Sequence, residues 1–240
     1  MNGLKEALEY LVNLGAKPNI ISVDGRKYSI NNLYPIEKPR PKALKIHTLT
    51  GLVDYINKNI ECIDTSMFVH IVNPSTVNIG TPFDGEWKKR NWLVDATLFN
   101  DITPFRFGEF YSMDQFFIEL STKFVKTPEI EQIFKTLGNI ASEKIKTVTD
   151  DGISQSIEVR DGIRRKEETI NNPVTLKPYR TFPEVIQPES LFLLRLKQNN
   201  EDIPKAALFD VGSGEWQLRA VNAIHEYLTS RLPDNIPVIL

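Results

Sequence analysis

Residues 81–92, TPFDGEWKKRNW, gather two carboxylates, three cations and two tryptophans into twelve positions. Two chemistries could use them. Glu86 and Lys88 have the E-x-K spacing of two-metal nucleases, where strand positions i and i+2 put a carboxylate and a lysine on one sheet face. Asp64, ahead of the apolar run MFVHIV, would supply the second metal carboxylate. Gly85 and its polar neighbours, however, set Glu86 in a turn, and a chain with 31 acidic residues offers this spacing by chance. No catalytic residue is assigned, and the metal-dependent nuclease built on Asp64, Glu86 and Lys88 stands as the alternative.

The second chemistry is recognition. Trp87 and Trp92 flank Lys88, Lys89 and Arg90, which supplies base stacking together with phosphate neutralisation. Trp92 opens a run in which Val94, Ala96 and Leu98 alternate as buried residues do, so it reads as core. A hairpin tip with solvated cations remains the favoured account of the stretch. The other ligand candidate is FDVGSGEWQLRA: a strand through Asp210, then Gly212, Ser213 and Gly214 turning into a helix whose first N–H groups could receive phosphate. A lone G-x-G lacks the third glycine of a dinucleotide fingerprint, and Glu215 already supplies the negative charge that a helix start favours. A tight strand-to-helix turn is therefore the favoured reading there as well.

Composition narrows the function classes. The 29 lysines and arginines nearly balance 31 acids, a net charge of −2, so attraction to a polyanion must come from a local patch. Cys62 is the single cysteine, which leaves no internal disulfide and no cysteine-based zinc site. His47, His70 and His225 share no metal-binding register. No metal and no cofactor is implied. The N-terminal pattern is broken by Lys5, Glu6 and Glu9, unlike a secretory signal, and no run reaches the roughly 18 apolar residues of a membrane span. The expectation is a soluble, cytoplasmic protein without a membrane partner.

The elements that must hold these candidates follow from periodicity. Leu4, Ala7, Leu8, Leu11 and Val12 predict a helix over 3–14, and Asp24-Gly25 a hairpin within IISVDGRKYSI. Pro35, Pro39 and Pro41 mark an extended connector, read as a loop inside one domain spanning 1–240. Thr48 caps a helix through Ile56, and MFVHIV, TVNIG and NWLVDATL form a three-stranded meander. Ser112 and Thr127-Pro128 start the two helices of a hairpin over 112–140. Beyond Gly138 come strands KIKTVT, SQSIEVRDG, NPVTLKP, SLFLLRLKQ and KAALFDV, then a long amphipathic helix and the short strand PVIL. Arg164 to Glu168 balances its own charge and reads as an exposed loop. FRFGEFY, residues 105–111, is an aromatic cluster for an interface or for the core. The fold class is α+β, with mostly antiparallel sheet and about five helices, including a central helical hairpin and a C-terminal helix followed by a strand.

Four stretches carry a resemblance: KIHTLTGLVDYINKN (45–59), NWLVDATLFND (91–101), FGEFYSMDQFFIEL (107–120), and the run from VTLKPYRTFPEVIQP to SRLPDNIPVIL. In order and spacing they resemble the YfdQ-like family of phage and prophage proteins. The resemblance implies a phage-encoded protein of uncharacterised function, in the bacterial cytoplasm during infection or lysogeny, and supplies no catalytic residues. The function read from the chain is a non-enzymatic, self-assembling binding protein for phage replication, recombination or counter-defence. Its ligand would be nucleic acid or a nucleotide at Trp87, Lys88, Lys89 and Arg90 or at Gly212, Ser213 and Gly214. A homo-oligomer is expected because PVIL offers an apolar sheet edge to a neighbouring copy.

Overall fold

The computed structural model describes residues 2–16, 20–29, 40, 42–63, 66–83, 88–99, 104–142, 144–150, 155–161, 164–170, 172–198 and 204–240. The chain gathers into two units, Met1–Pro41 and Lys42–Leu240. The first contains helix α1 (Asn2–Ala16) and the hairpin of β1 (Ile20–Val23) and β2 (Arg26–Ser29). Asp24 and Gly25 turn that hairpin with φ of 50° and 78°, as a two-residue loop between twisted strands requires. Most of the proline-rich connector lies outside the described residues.

The second unit opens with β3 (Leu44–Ile46) and α2 (Leu49–Lys58), followed by the meander β4 (Phe68–Asn73), β5 (Thr76–Gly80) and β6 (Trp92–Thr97). Thr48 Oγ1 accepts from the Gly51 N–H at 3.0 Å and caps α2. Then come β7 (Tyr111–Ser112) and the helical hairpin α3 (Met113–Lys123) and α4 (Pro128–Ser142), capped by Ser112 and Thr127. Strands β8 (Lys144–Asp150), β9 (Gln155–Asp161), β10 (Arg164–Ile170), β11 (Val174–Leu176), β12 (Ser190–Gln198) and β13 (Pro204–Asp210) lead to α5 (Glu215–Thr229) and β14 (Val238–Ile239). The fold is α+β with mostly antiparallel sheet. One correction concerns Arg164 to Glu168, expected as a loop: they form β10, in antiparallel register with β9. A charge-rich run gives no apolar alternation, so backbone pairing decided what the pattern could not.

Two cores organise this unit. One lies between the sheet β11-β12-β13-β7 and the helical hairpin, with Phe116, Leu120, Phe124, Leu137, Phe192 and Leu208 withdrawn from solvent. Phe105 of FRFGEFY is buried here against Phe107, Tyr111, Phe116 and Phe124, so the cluster is largely core. Phe110 stays partly exposed beside Phe209. The second core lies on one face of the sheet β14-β4-β5-β6-β3. There Val69, Ile71, Val77, Ile79, Val94 and Ala96 meet Leu49, Leu52 and Ile56 of α2 and Ile224 and Leu228 of α5. Each such fully buried side chain contributes about 1.5–3 kcal/mol. The meander is antiparallel, while β14 and β3 join its two edges in parallel.

Tyr55 of α2 shows how this core couples to pH. Its phenol is buried and donates to Glu61 Oε2 at 3.1 Å, and burial, then that hydrogen bond, then the negative charge push it from 10.0 to about 12. The neutral phenol is the form the fold favours. Its stabilisation is therefore complete below pH 10.0 and is lost as pH rises towards about 12. The loss expected is about 2–3 kcal/mol across that interval. In urea melts at stepped alkaline pH, Tyr55→Phe should remove this component, and equal slopes for the two proteins would refute it.

Candidate functional site

The helices cover one face of the five-stranded sheet, and the other face carries an aromatic and basic surface. Alternation along β4 sends Val69 and Ile71 inward and Phe68, His70 and Val72 outward. On β6 the register with β5 shifts: Val94 pairs with Ile79, but Trp92 pairs with Gly80, so Leu93 is an extra residue. Such a bulge turns the residue beyond it to the opposite face. Trp92, expected in the core, is instead 39 % exposed beside Phe68. A one-residue slip reverses every side chain past it, and strand alternation alone gives no sign of where the slip occurs.

Gly80 makes the aromatic pair possible. A Cβ there would lie 2.9 Å from Phe68 Cζ and 3.0 Å from Trp92 Cζ3, so the two rings close over the glycine, their centroids 6.2 Å apart at 67°. The Arg90 guanidinium carbon sits 4.7 Å from the Phe68 ring centroid and 4.4 Å from that of Phe83, which is 60 % exposed. His70 lies nearly parallel to Trp92 at 6.5 Å. Thr81 and Asn91 pin the base of the connecting loop through Thr81 N–H to Asn91 O at 3.0 Å and Asn91 N–H to Thr81 Oγ1 at 3.2 Å. Beyond this neck Lys88 and Lys89 are exposed, with Lys88 at φ 47°. Trp87 lies outside the described residues.

The nuclease arrangement is not assembled by what is described. Asp64 and Glu86 lie outside the described residues, and among those described no group of three His, Cys, Asp or Glu could hold a metal ion. His47 Nδ1 bonds Thr97 O at 2.8 Å and stacks on Phe99, and His225 is on α5.

At the second candidate, Gly212, Ser213 and Gly214 do turn β13 into α5, with Ser213 at φ 50° and Gly214 at φ 83°. Part of its backbone is engaged internally. The Gly212 N–H donates to Asp210 Oδ1 at 2.9 Å, and the Glu215 N–H to Gly212 O at 3.2 Å. Asp210 and Glu215 both oppose an incoming anion. The cation beneath the turn is Arg180, which is paired with Asp210 at 3.1 Å and enclosed by Trp216, Phe107 and Phe192. This geometry fits a buried structural cation better than a phosphate site.

Sequence patterning brought Lys88, Lys89 and Arg90 into view but missed the aromatic partners of Arg90, Phe68 and Phe83, which depend on strand register and loop closure. The outward i, i+2 pair Phe68 and His70 on β4 was the signal available. No family model, no curated protein and no solved structure matches the chain. Among the described residues no helix is long and apolar enough to cross a membrane.

Proposed function

We propose that the chain is a non-enzymatic binding protein whose ligand is single-stranded nucleic acid or a nucleotide, stacked on the outer face of the five-stranded sheet. The observation that carries this reading is the Arg90 guanidinium between Phe68 and Phe83, beside the exposed ring of Trp92. Aromatic faces stack bases of any sequence, and the cations Lys88, Lys89 and Arg90 at their margin offset phosphate charge. A single strand can open its bases onto such a platform, whereas a duplex hides them. The likeness of the four sequence stretches to YfdQ-like phage proteins supports a phage or prophage origin, and a role in phage replication, recombination or counter-defence belongs to the same proposal. Self-assembly belongs to the same proposal: β14 has β4 on one side and no strand on its other side among the described residues, and Ile239 and Leu240 are exposed.

Fluorescence anisotropy with labelled single- and double-stranded oligonucleotides tests the reading. The single strand should bind more tightly, with affinity falling as salt rises. Trp92→Ala should cost about 1–3 kcal/mol of binding, the value of one stacked base. Gly80→Ala should weaken binding in the same assay by prising Phe68 and Trp92 apart. Failure of the wild-type protein to bind single strands or nucleotides, even at low salt, would overturn the proposal. A native mass spectrum showing monomer at every concentration would remove the assembly component.

A further inference from the structure

We infer that the outer face of the four-stranded sheet β11-β12-β13-β7 is an interface between two copies of the chain, packed face to face about a two-fold axis. The inference deepens the assembly component of the reading above by naming a surface for it, and it needs neither the nucleic acid nor the edge of β14. The helical hairpin covers the inner face of this sheet, where Phe192, Leu194, Ala206 and Leu208 are buried. Alternation sends Leu191 and Leu193 of β12 and Phe209 of β13 to the outer face, with Val211 just past the strand end. The register sets Leu193 opposite Phe209, and the Val211 N–H donates to Leu191 O at 3.0 Å, so the four side chains stand in two adjacent rows. Phe110 closes the flank beside Phe209, its ring edge-on at 6.1 Å. Leu191 and Val211 are each 43 % exposed, and Phe110 and Phe209 are exposed beside them. An apolar sheet face is stable when a second layer covers it, and these exposures leave this one uncovered.

The charges on the face decide which layer fits. Lys197 pairs in register with Lys205, like charges side by side, an unfavourable arrangement that an incoming carboxylate relieves. Lys197 stands four residues after Leu193, and Glu189 stands four residues before it. Ser190 is buried, so Glu189 next to it faces outward. Glu189 is held there by Lys177 at 3.0 Å and remains exposed to a second cation, while Lys197 Nζ rests over the Phe110 ring, 5.9 Å from its centroid. A two-fold axis lying in the interface, across the strands at the row of Leu193 and Phe209, reverses each strand over its own copy. It sets Lys197 over Glu189, Leu193 over Leu193, Phe209 over Phe209 and Val211 over the small Ala207, each contact made twice. A surface whose two ends complement each other under reversal suits an isologous partner, a second copy of itself. Two sheets stacked in this way lie about 10 Å apart with their facing side chains interdigitated.

Sedimentation velocity of the full chain over a range of concentrations tests the inference. The wild type should be a dimer. Leu191→Asp, at an exposed position, should be a monomer, with circular dichroism showing that it folds. Lys197→Glu and Glu189→Lys should each raise the dimer dissociation constant about tenfold, because symmetry places the reversed pair twice in the interface. Combining the two reversals restores opposite charges and should return the constant close to the wild-type value. A double reversal as weak as the single ones would overturn the two-fold arrangement. Oligomers indifferent to Leu191→Asp and to the reversals would exclude this face and leave assembly through β14 standing. A monomer at every concentration would remove both.

Discussion

Arg180→Ala is expected to destabilise the protein by about 2–3 kcal/mol, chiefly through the enclosed packing of its side chain, since its partner Asp210 lies at the surface and the ion pair itself adds at most about 1 kcal/mol. The Arg180 side chain is only 11 % exposed, and its guanidinium carbon lies 4.6 Å from the Trp216 ring centroid, 5.2 Å from Phe107 and 5.4 Å from Phe192. Burial pushes the guanidinium below its ordinary value, and the charge and hydrogen bond of Asp210 pull it back. Alanine would leave three rings lining a void, while the exposed Asp210 carboxylate would turn to water. The pair is not an optimum, however: Nε and Nη2 of Arg180 are enclosed without hydrogen-bond partners. Arg180→Met combined with Asp210→Asn should therefore recover most of the loss, since methionine refills the space and the asparagine oxygen can still accept from the Gly212 N–H. Urea denaturation of the three proteins measures this. A midpoint for Arg180→Ala matching the wild type would refute the structural role of the cation.

Arg180 also shows where sequence reading ran out. It lies in the run PYRTFPEV, whose residues have no periodicity and no motif spacing, and its three aromatic neighbours come from distant parts of the chain. The elements that were legible depend on local signals: the Asp24-Gly25 turn, the Thr48 and Ser112 caps, the 3.6-residue apolar stripes of α2 and α5. The parallel pairing of β3 with β6 and of β14 with β4 is long-range, and an apolar triplet carries no record of its partner. PVIL was readable as a strand, but its seat beside Val69 and His70 was not. The site divides the same way. Lys88, Lys89 and Arg90 are conspicuous as residue types, whereas the outward turn of Trp92 depends on one extra residue in β6, and the row of Phe68, Gly80 and Trp92 exists only once register is fixed. Gly212 to Gly214 were recognised as a turn before a helix. Their use of Asp210 as an internal acceptor follows from side-chain placement that spacing does not encode.

Gln187→Leu is the second large loss expected, about 3 kcal/mol or more, because one buried side chain bonds two backbone N–H groups and shares its two amide hydrogens among three carbonyls. Of those carbonyls only that of Phe182 has a second donor among the described residues, the Val185 N–H. Gln187 is 6 % exposed; its Oε1 accepts from the Arg180 and Thr181 N–H groups at 3.0 and 3.2 Å. Its Nε2 donates to the carbonyls of Thr181, Phe182 and Val185 at 3.3, 3.1 and 3.4 Å. Two N–H groups and three carbonyls fix which end of the amide is oxygen. The loop so held delivers Arg180 to its aromatic enclosure, Phe182 to the core under the five-stranded sheet, and the Thr181 hydroxyl to Pro74 O at 2.6 Å, at the turn between β4 and β5. Leucine retains the bulk and loses every one of these bonds. Gln187→Glu supplies a sharper control: a carboxylate keeps the acceptor but faces three carbonyls, so the fold favours its protonated form and raises its pKa. The stability of that variant relative to wild type should then be higher near pH 5 than near pH 8, lost as pH rises through the raised value. Urea melts at the two pH values decide the matter: a pH-independent difference for Gln187→Glu, or an unchanged midpoint for Gln187→Leu, would show that the loop is held by its apolar contacts instead.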